Sequence, residues 1–247
     1  MKINVGSWNI WIFGSRDFKG IAELVRKNKI DILGIQEAGI YFDKGQENMA
    51  KKIAEELNYN FVFYPAKDAR PNNPWIVCNA ILSKFPIIES NFHLLNPANF
   101  KYNGTYQTEP RNLVYSKITL NESKALNFLT THLNPSIKFE TTDLRLTEVE
   151  KVLSAIKKLE NPIVLTGDFN SIPKNKEIKR IEEFLTRVGG DEPTWTVHPF
   201  EMEGWRVDKL EYRLDNIFVS KDLNYENFKI IKSKISDHLP IKVTIDF

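Results

Sequence analysis

Carboxylates, carboxamides and imidazoles are the side chains that hold hard cations and move protons. This chain places them repeatedly where apolar, β-branched runs stop. Asn9 ends the first such run, Gln36 and Glu37 end the second, and His132 follows Phe128-Leu129-Thr130-Thr131. Asp168 and Asn170 follow Ile163-Val164-Leu165, and Asp237-His238 precede the last run. Each of these has an ordinary structural use on its own. Glu37 serves as a loop or cap residue, Asn9 satisfies backbone groups at a strand end, His132 is a hydrogen-bonded core histidine, and Asp168 between Gly167 and Asn170 makes a turn. Recurrence at strand after strand is not what independent accidents produce. A sheet that aligned these strands would gather the groups at one edge.

The elements that must do the aligning are read from period and composition. Ile3 to Ile10, Ile30 to Ile35, Phe61 to Tyr64, Trp75 to Leu82, Leu113 to Ile118, Leu126 to Thr131, Ile163 to Leu165, Leu214 to Val219 and Ile241 to Ile245 read as strands. Ile21, Leu24 and Val25 form a helical stripe, as do Met49, Ile53, Ala54 and Leu57, and again Val149, Val152, Leu153 and Ile156. Helices alternate with strands early, whereas later strands mostly follow one another. That order predicts an α/β protein with much antiparallel pairing rather than a doubly wound parallel sheet. The Pro- and Gly-containing stretches at 71–74, 96–104 and 189–204 read as loops, and Lys174 to Arg180 reads as a solvated helix start.

With 247 residues, 42% of them hydrophobic, the chain is expected to form a single domain over residues 1–247. Thirty-four basic against 32 acidic residues leave a formal charge of +2, so no polybasic field grips nucleic acid nonspecifically and any anion must be recognised locally. Cys78 is the single cysteine, which excludes a disulfide-stapled scaffold and a paired-thiol zinc site. The N-terminal residues lack the apolar core of a signal peptide, and no stretch approaches the roughly 18 apolar residues of a membrane span. A soluble, cytoplasmic monomer without a membrane partner is the expectation.

Taken together, the motifs resemble the endonuclease/exonuclease/phosphatase superfamily, also called deoxyribonuclease I-like. The segments are Ser7-Trp8-Asn9-Ile10, Ile35-Gln36-Glu37, Asn79-Ala80-Ile81-Leu82-Ser83, Thr131-His132-Leu133, Thr166-Gly167-Asp168-Phe169-Asn170-Ser171, Arg213-Leu214-Asp215-Asn216-Ile217-Phe218 and Ser236-Asp237-His238-Leu239-Pro240. They run in the family's order from residue 7 to residue 240, and Gly-Asp-Phe-Asn with Ser-Asp-His is the most specific pairing. The resemblance implies a four-layer α/β sandwich, two packed, mostly antiparallel β-sheets flanked by helices. It also implies phosphate-ester hydrolysis assisted by Mg²⁺ or Mn²⁺.

On that resemblance Glu37 is the leading metal ligand, completed by Asn9 and Asp237. Asp168 activates the attacking water, while Asn170 donates to a phosphoryl oxygen. His238, held in one tautomer by Asp215, binds the scissile phosphate, and His132 sits near the leaving oxygen as donor or acid. Asn79 joins the substrate-binding set. Arg111 is either a phosphate fork or a surface partner of Glu109.

Departures narrow the branch. Ile10-Trp11 after Asn9, and Thr131-His132-Leu133, disfavour apurinic endonucleases; Tyr212-Arg213-Leu214-Asp215 disfavours inositol polyphosphate 5-phosphatases. Deadenylases, neutral sphingomyelinases, deoxyribonuclease I and tyrosyl-DNA phosphodiesterase 2 remain, and Arg111-Asn112-Leu113 most resembles the last. The expected substrate is DNA, RNA or a nucleic-acid end adduct, with single-stranded or frayed ends favoured. Unpaired bases could stack on Trp11, Phe13, Trp75, Tyr102, Tyr106 or Trp205, with Trp11 foremost; Trp8 and Trp195 are expected to pack in support. The alternatives are a small or lipid phosphoester, as in a sphingomyelinase, and a catalytically silent nucleic-acid-binding relative.

Overall fold

The computed structural model describes residues 1–14, 16–42, 45–65, 74–96, 101 and 108–247. Tyr102, Tyr106 and parts of the loops at 71–74 and 96–104 lie outside the described residues. In chain order the elements are β1 (Lys2–Asn9), α1 (Phe18–Lys27), β2 (Ile32–Gln36), β3 (Ile40–Tyr41), β4 (Glu47–Asn48), α2 (Met49–Leu57), β5 (Asn60–Pro65), β6 (Trp75–Ile76), β7 (Cys78–Ser83) and β8 (Ile87–Leu94). There follow β9 (Asn112–Asn121), β10 (Lys124–His132), α3 (Asp143–Ile156), β11 (Ile163–Asp168), α4 (Lys176–Glu182), β12 (Thr186–Arg187), β13 (Phe200–Met202), β14 (Trp205–Val207), β15 (Asp215–Val219), β16 (Asn224–Ile230) and β17 (Ile241–Asp246).

Two six-stranded sheets result, ordered β16-β17-β1-β2-β7-β5 and β12-β15-β11-β10-β9-β8. Each is antiparallel except for one parallel pair, β1 with β2 and β10 with β11. A parallel pair needs a crossover, and here α1 and α3 supply them. The helices are capped by their own sequence: Asp17 accepts from the Gly20 amide, Asn48 from that of Lys51, and Thr142 from that of Arg145. Ile21, Val25, Ile53 and Ala54 pack α1 and α2 on the outside of the first sheet. Val149, Val152, Ile178 and Ile181 pack α3 and α4 on the outside of the second. With the sheets facing each other between these helices, the molecule is a four-layer α/β sandwich.

The inner faces meet in a layer built from Ile3, Val5 and Ile32 of one sheet and Phe128, Val164 and Ile217 of the other. Side chains alternate across a strand, so each residue two steps on shares the same face. Starting from these core residues, that parity carries Asn9 on β1, Gln36 on β2, His132 on β10, Asp168 on β11 and Asp215 on β15 onto the inner faces at one end of the sandwich. Between the apolar core and this polar end the sheets approach closely at Gly34. A β-carbon there would lie 2.2 Å from Thr166 Oγ1 and 2.6 Å from Thr130 Oγ1. Gly34→Ala is therefore expected to cost about 1–3 kcal/mol through overpacking. Urea denaturation checks this, and a loss below about 0.5 kcal/mol, the usual range of an inert surface change, would contradict the close approach.

The structure departs from the expected elements in specific places. The run from Trp75 to Leu82 divides at Val77, because Cys78 exchanges backbone hydrogen bonds with Ala38 while Trp75 and Ile76 pair with β3. β8 and β16 are edge strands, largely exposed and therefore without a clear apolar alternation. α4 starts at Lys176 as a partly solvated helix, but Ile178 and Ile181 are buried and Glu177 pairs with buried Arg145. Among the described residues no helix is long and apolar enough to cross a membrane.

Candidate active site

Strand register assembles the site. β1 and β2 run parallel with Asn9 opposite Gln36, so Glu37 emerges beside Asn9. β10 and β11 run parallel with His132 opposite Asp168, and antiparallel β15 sets Asp215 opposite Asp168. Both parallel pairs thus present their carboxyl ends to the same place, where ligands of α/β sheets bind. The segment before β17 is tied to this edge by Trp8 Nε1 donating to the His238 carbonyl at 3.1 Å and Ser236 Oγ donating to the Asn9 carbonyl at 2.7 Å. Asp237 and His238 are thereby fixed over the strand ends.

Asn9 Nδ2 donates to Glu37 Oε1 at 3.1 Å and to Asp168 Oδ2 at 3.0 Å, linking the two sheets. The Ile12 amide donates to Glu37 Oε2 at 3.0 Å, and the Trp11 amide to Asn9 Oδ1 at 2.9 Å. Trp11, Glu37 and Asn170 have φ of 55°, 56° and 46°. Left-handed backbone at three non-glycine residues around one cleft is strain of the kind that clusters at functional sites. Asp237 accepts from Trp195 Nε1 at 3.1 Å through Oδ2. Burial, reinforced by the charge of Asp237, pushes the Glu37 carboxyl above the usual carboxylate range. Two carboxylates that repel across a partly buried site are what a hard divalent cation relieves, and oxygen-only donors from Glu37, Asp237 and Asn9 suit Mg²⁺ or Mn²⁺.

A second cluster, Asp168, Asp215 and His238, offers potential ligand atoms within 4.8 Å of one another. Its contacts are those of an imidazole bridging two carboxylates. His238 Nδ1 lies 2.9 Å from Asp215 Oδ2, and Nε2 lies 3.5 Å from Asp168 Oδ2. Burial alone would depress the His238 pKa, but the charges of Asp215, Asp168 and Asp237 outweigh it and hold the pKa well above the usual value of 6.5. His238 in its charged form is held by both Asp215 and Asp168, whereas Glu37, Asp237 and Asn9 offer oxygen donors alone. Burial raises Asp168 despite the opposing charge of His238. Thr194 Oγ1 accepts from the amides of Leu214 and Asp215, both at 3.2 Å, and fixes where β15 begins.

His132 is buried between Arg111 Nη1, 3.0 Å from Nδ1, and Asn170 Nδ2, 3.0 Å from Nε2. Burial and the neighbouring charges of Arg111 and His238 drive its pKa well below 6.5, so the ring is neutral. A guanidinium and a carboxamide nitrogen both only donate, so Nδ1 faces the Arg111 donor and Nε2 faces the Asn170 N–H, with Asp168 Oδ2 3.4 Å from Nε2. Arg111 is only 5% exposed and lies 3.8 Å from Glu109, which makes this a buried contact at the cleft rather than a surface one. Asn79 is not among the cleft-lining residues; its Nδ2 donates to Asn112, and it borders a small void of about 10 Å³ with Arg111 and His132.

The cleft above these groups encloses about 370 Å³. Trp11, Phe13 and Trp205 line it, whereas Trp75 stands behind Phe13 in an edge contact at 5.4 Å. Trp11 stacks on His198 at 5.6 Å, and Phe139, Trp195, Phe200 and Trp205 form a cluster of mutually contacting rings that also lines the cleft. The segment at 189–204 thus supplies Trp195, Thr196, His198, Pro199, Phe200 and Met202 to the site's wall. Thr194, His198 and Phe200 went unrecognised in the sequence because that stretch has no period, and no local signal marks them.

A sequence model of the endonuclease/exonuclease/phosphatase family matches residues 6–238. The chain belongs to that family. Its members are phosphoric ester hydrolases. Among relatives within reach of sequence, Nocturnin of Xenopus laevis is 24% identical over 212 residues, covering 78% of this chain and 52% of that protein. The chain therefore spans about half the length of that relative. Among solved structures, an endonuclease/exonuclease/phosphatase family protein from Leptotrichia buccalis superposes with a TM-score of 0.76 at 22% identity, covering 99% of this chain and 100% of its own. The human Nocturnin catalytic domain with bound sulfate anion superposes at 0.73 and 20% identity, covering 100% and 93%. These likenesses confirm the fold of the family member described here.

Proposed function

We propose that this chain is a divalent-metal-dependent phosphodiesterase acting on DNA, RNA or a nucleic-acid end adduct, with single-stranded or frayed ends preferred. In this reading residues 1–247 act as one domain and as a monomer, and a cytoplasmic location goes with it. The observation that carries the proposal is the meeting of Glu37 and Asp237 beside the linked Asp168, His238 and Asp215. Glu37, Asp237 and Asn9 would hold Mg²⁺ or Mn²⁺, which when bound would supply Lewis-acid polarisation of a phosphoryl oxygen.

The chain's own residues do the rest. Asp168, its carboxyl raised toward the working pH, takes the proton of the attacking water. His238 presents a protonated Nε2 to a non-bridging phosphate oxygen, and Asp215 keeps the ring charged and oriented. Arg111 forks onto the phosphate. His132 serves the leaving oxygen as donor or acid. Asn170 Nδ2 already donates to the Leu133 carbonyl at 2.9 Å, so its donation to a phosphoryl oxygen uses the N–H that faces His132. The aromatic walls flank a space with room for one phosphate and one organic group, on which Trp11 stacks a base.

The same enclosed volume favours a small phosphoester as the second reading. Hydrolysis of single-stranded and duplex DNA, RNA, 5′-tyrosyl DNA, sphingomyelin and a sugar monophosphate, all with Mn²⁺, separates the two. Nucleic-acid ends are expected to be cut fastest; a clear preference for the sugar phosphate or the lipid would overturn the nucleic-acid reading, and no hydrolysis of any of them would leave a silent binding relative.

The charge on His238 gives a signed pH prediction. Its folded pKa lies above 6.5, so kcat/KM falls as pH rises through that pKa. Asp215→Asn removes the charge that raises it, and the alkaline limb is expected to move to lower pH while turnover drops. A pH profile with bis(p-nitrophenyl) phosphate checks this, and an unmoved limb would contradict the charged role of His238.

A further inference from the structure

Glu148 on α3 is completely buried, and nothing in the chemistry above uses it. Both of its oxygens are taken by one residue. Oε2 accepts from the Asn134 amide at 3.0 Å, and Oε1 accepts from Asn134 Nδ2 at 2.5 Å. With its N–H groups held in this way, Asn134 turns Oδ1 toward Arg111, whose Nε donates to it at 3.3 Å. Arg111 Nη1 in turn reaches His132 Nδ1 at 3.0 Å, at the wall of the cleft.

Only a carboxylate accepts two parallel donors at once; an amide in its place offers one acceptor and one donor, and one of the Asn134 hydrogens would then face another hydrogen. Burial pushes the Glu148 carboxyl up to about 7, against the two Asn134 donations and the charges of Arg111 and Arg145. Arg145 makes its hydrogen bonds to other groups than Glu148, donating through Nε to Glu177 at 2.7 Å and through Nη1 to the Asn170 carbonyl at 2.7 Å and the Asn134 carbonyl at 3.3 Å, so it supports the Asn134 backbone but not its side chain. The link from Glu148 toward the cleft therefore runs through Asn134 to Arg111. A buried ionisable group with this one bidentate partner is an expensive way to fill a core position, and the geometry gives it a use.

We propose that Glu148 is a positioning residue for recognition of the substrate phosphate, acting through Asn134 to fix the Arg111 guanidinium at the cleft. The proposal rests on the reading of Arg111 as the phosphate fork. A fixed guanidinium meets the anion without first being ordered, which strengthens binding of substrate and transition state alike and so acts on KM more than on kcat.

The test is a double-mutant cycle of Glu148→Gln and Arg111→Ala, run with Mn²⁺ and read by kcat and KM for bis(p-nitrophenyl) phosphate and by inhibition with sulfate, whose charge does not titrate. Glu148→Gln is expected to raise KM and the sulfate inhibition constant by about tenfold, a coupling ordinary for one hydrogen-bond network, with kcat within about twofold. In the Arg111→Ala background it is expected to change neither. If Arg111→Ala alone leaves KM and sulfate inhibition untouched, the phosphate-fork reading fails and takes this proposal with it. If Arg111→Ala weakens both but Glu148→Gln has the same effect in either background, or acts on kcat instead, Glu148 is structural and the proposal alone falls. Should Glu148→Gln fail to fold, Asn134→Ser in the same cycle carries the same expectations and the same contradictions.

Discussion

Asp168→Asn and His238→Ala are each expected to lower turnover on a nucleic-acid diester by about a hundredfold or more, as loss of a positioned base or charge stabiliser does. Asp168 contacts Asn9, the Asn170 amide and His132, and faces the Nε2 of His238, so it stands where water, phosphate and imidazole must meet. Asparagine keeps the shape and the hydrogen-bonding oxygen but takes no proton. Both Asp168 oxygens accept, one from Asn9 Nδ2 and one from the Asn170 amide, so the NH2 of asparagine meets one donor and a small loss of stability is expected. His238→Ala behaves differently, because Asp215 is fully buried and loses its partner. The raised pKa of His238 contributes stability that is complete below the unfolded value near 6.5 and disappears as pH rises through the folded one. The melting-temperature deficit of His238→Ala is therefore expected to be largest in mildly acidic buffer. Turnover of the double variant should fall less than the product of the single losses, since both residues serve one transition state. Circular dichroism and single-turnover rates check these points together. Losses of less than tenfold in either variant, or unfolding of both, would assign the residues a structural role instead.

The chemistry-bearing residues were legible because strand termini are local features. Asn9, Glu37, His132 and Asp168 each follow an apolar run, and the runs themselves are set by period-two burial. What joins them is register, which is a matter of pairing between distant segments. Nothing local places Asp215 opposite Asp168, or brings residue 237 to residue 37. The supporting side chains were illegible for the same reason. Trp195 was expected to pack in support, yet its donation to Asp237 spans 42 residues. Thr194 acts through the amides of Leu214 and Asp215, and Glu148 through Asn134, and a lone polar residue in an aperiodic stretch or on a helix face carries no mark of such a partner. The edge strands β8 and β16 escaped notice because neither buries one face. The four-layer architecture itself came from the resemblance of the motifs; alternation alone specified only a mixed α/β chain.

The cation is the other large effect. Glu37 and Asp237 come from opposite ends of the chain and bring two like charges to one cleft, so removing either is expected to weaken metal binding and turnover together. Mn²⁺ binding to EDTA-stripped protein, followed by electron paramagnetic resonance in parallel with hydrolysis of a 5′-labelled single-stranded oligonucleotide, tests this directly in the wild type and in Glu37→Gln. Wild-type protein is expected to be inactive until Mn²⁺ or Mg²⁺ is restored, and Glu37→Gln to bind Mn²⁺ at least about tenfold more weakly, in the range for losing one partner of a desolvated charge site, with hydrolysis falling in step. Full hydrolysis in EDTA, or undiminished Mn²⁺ binding by Glu37→Gln, would contradict a metal-dependent phosphodiesterase centred on these two carboxylates.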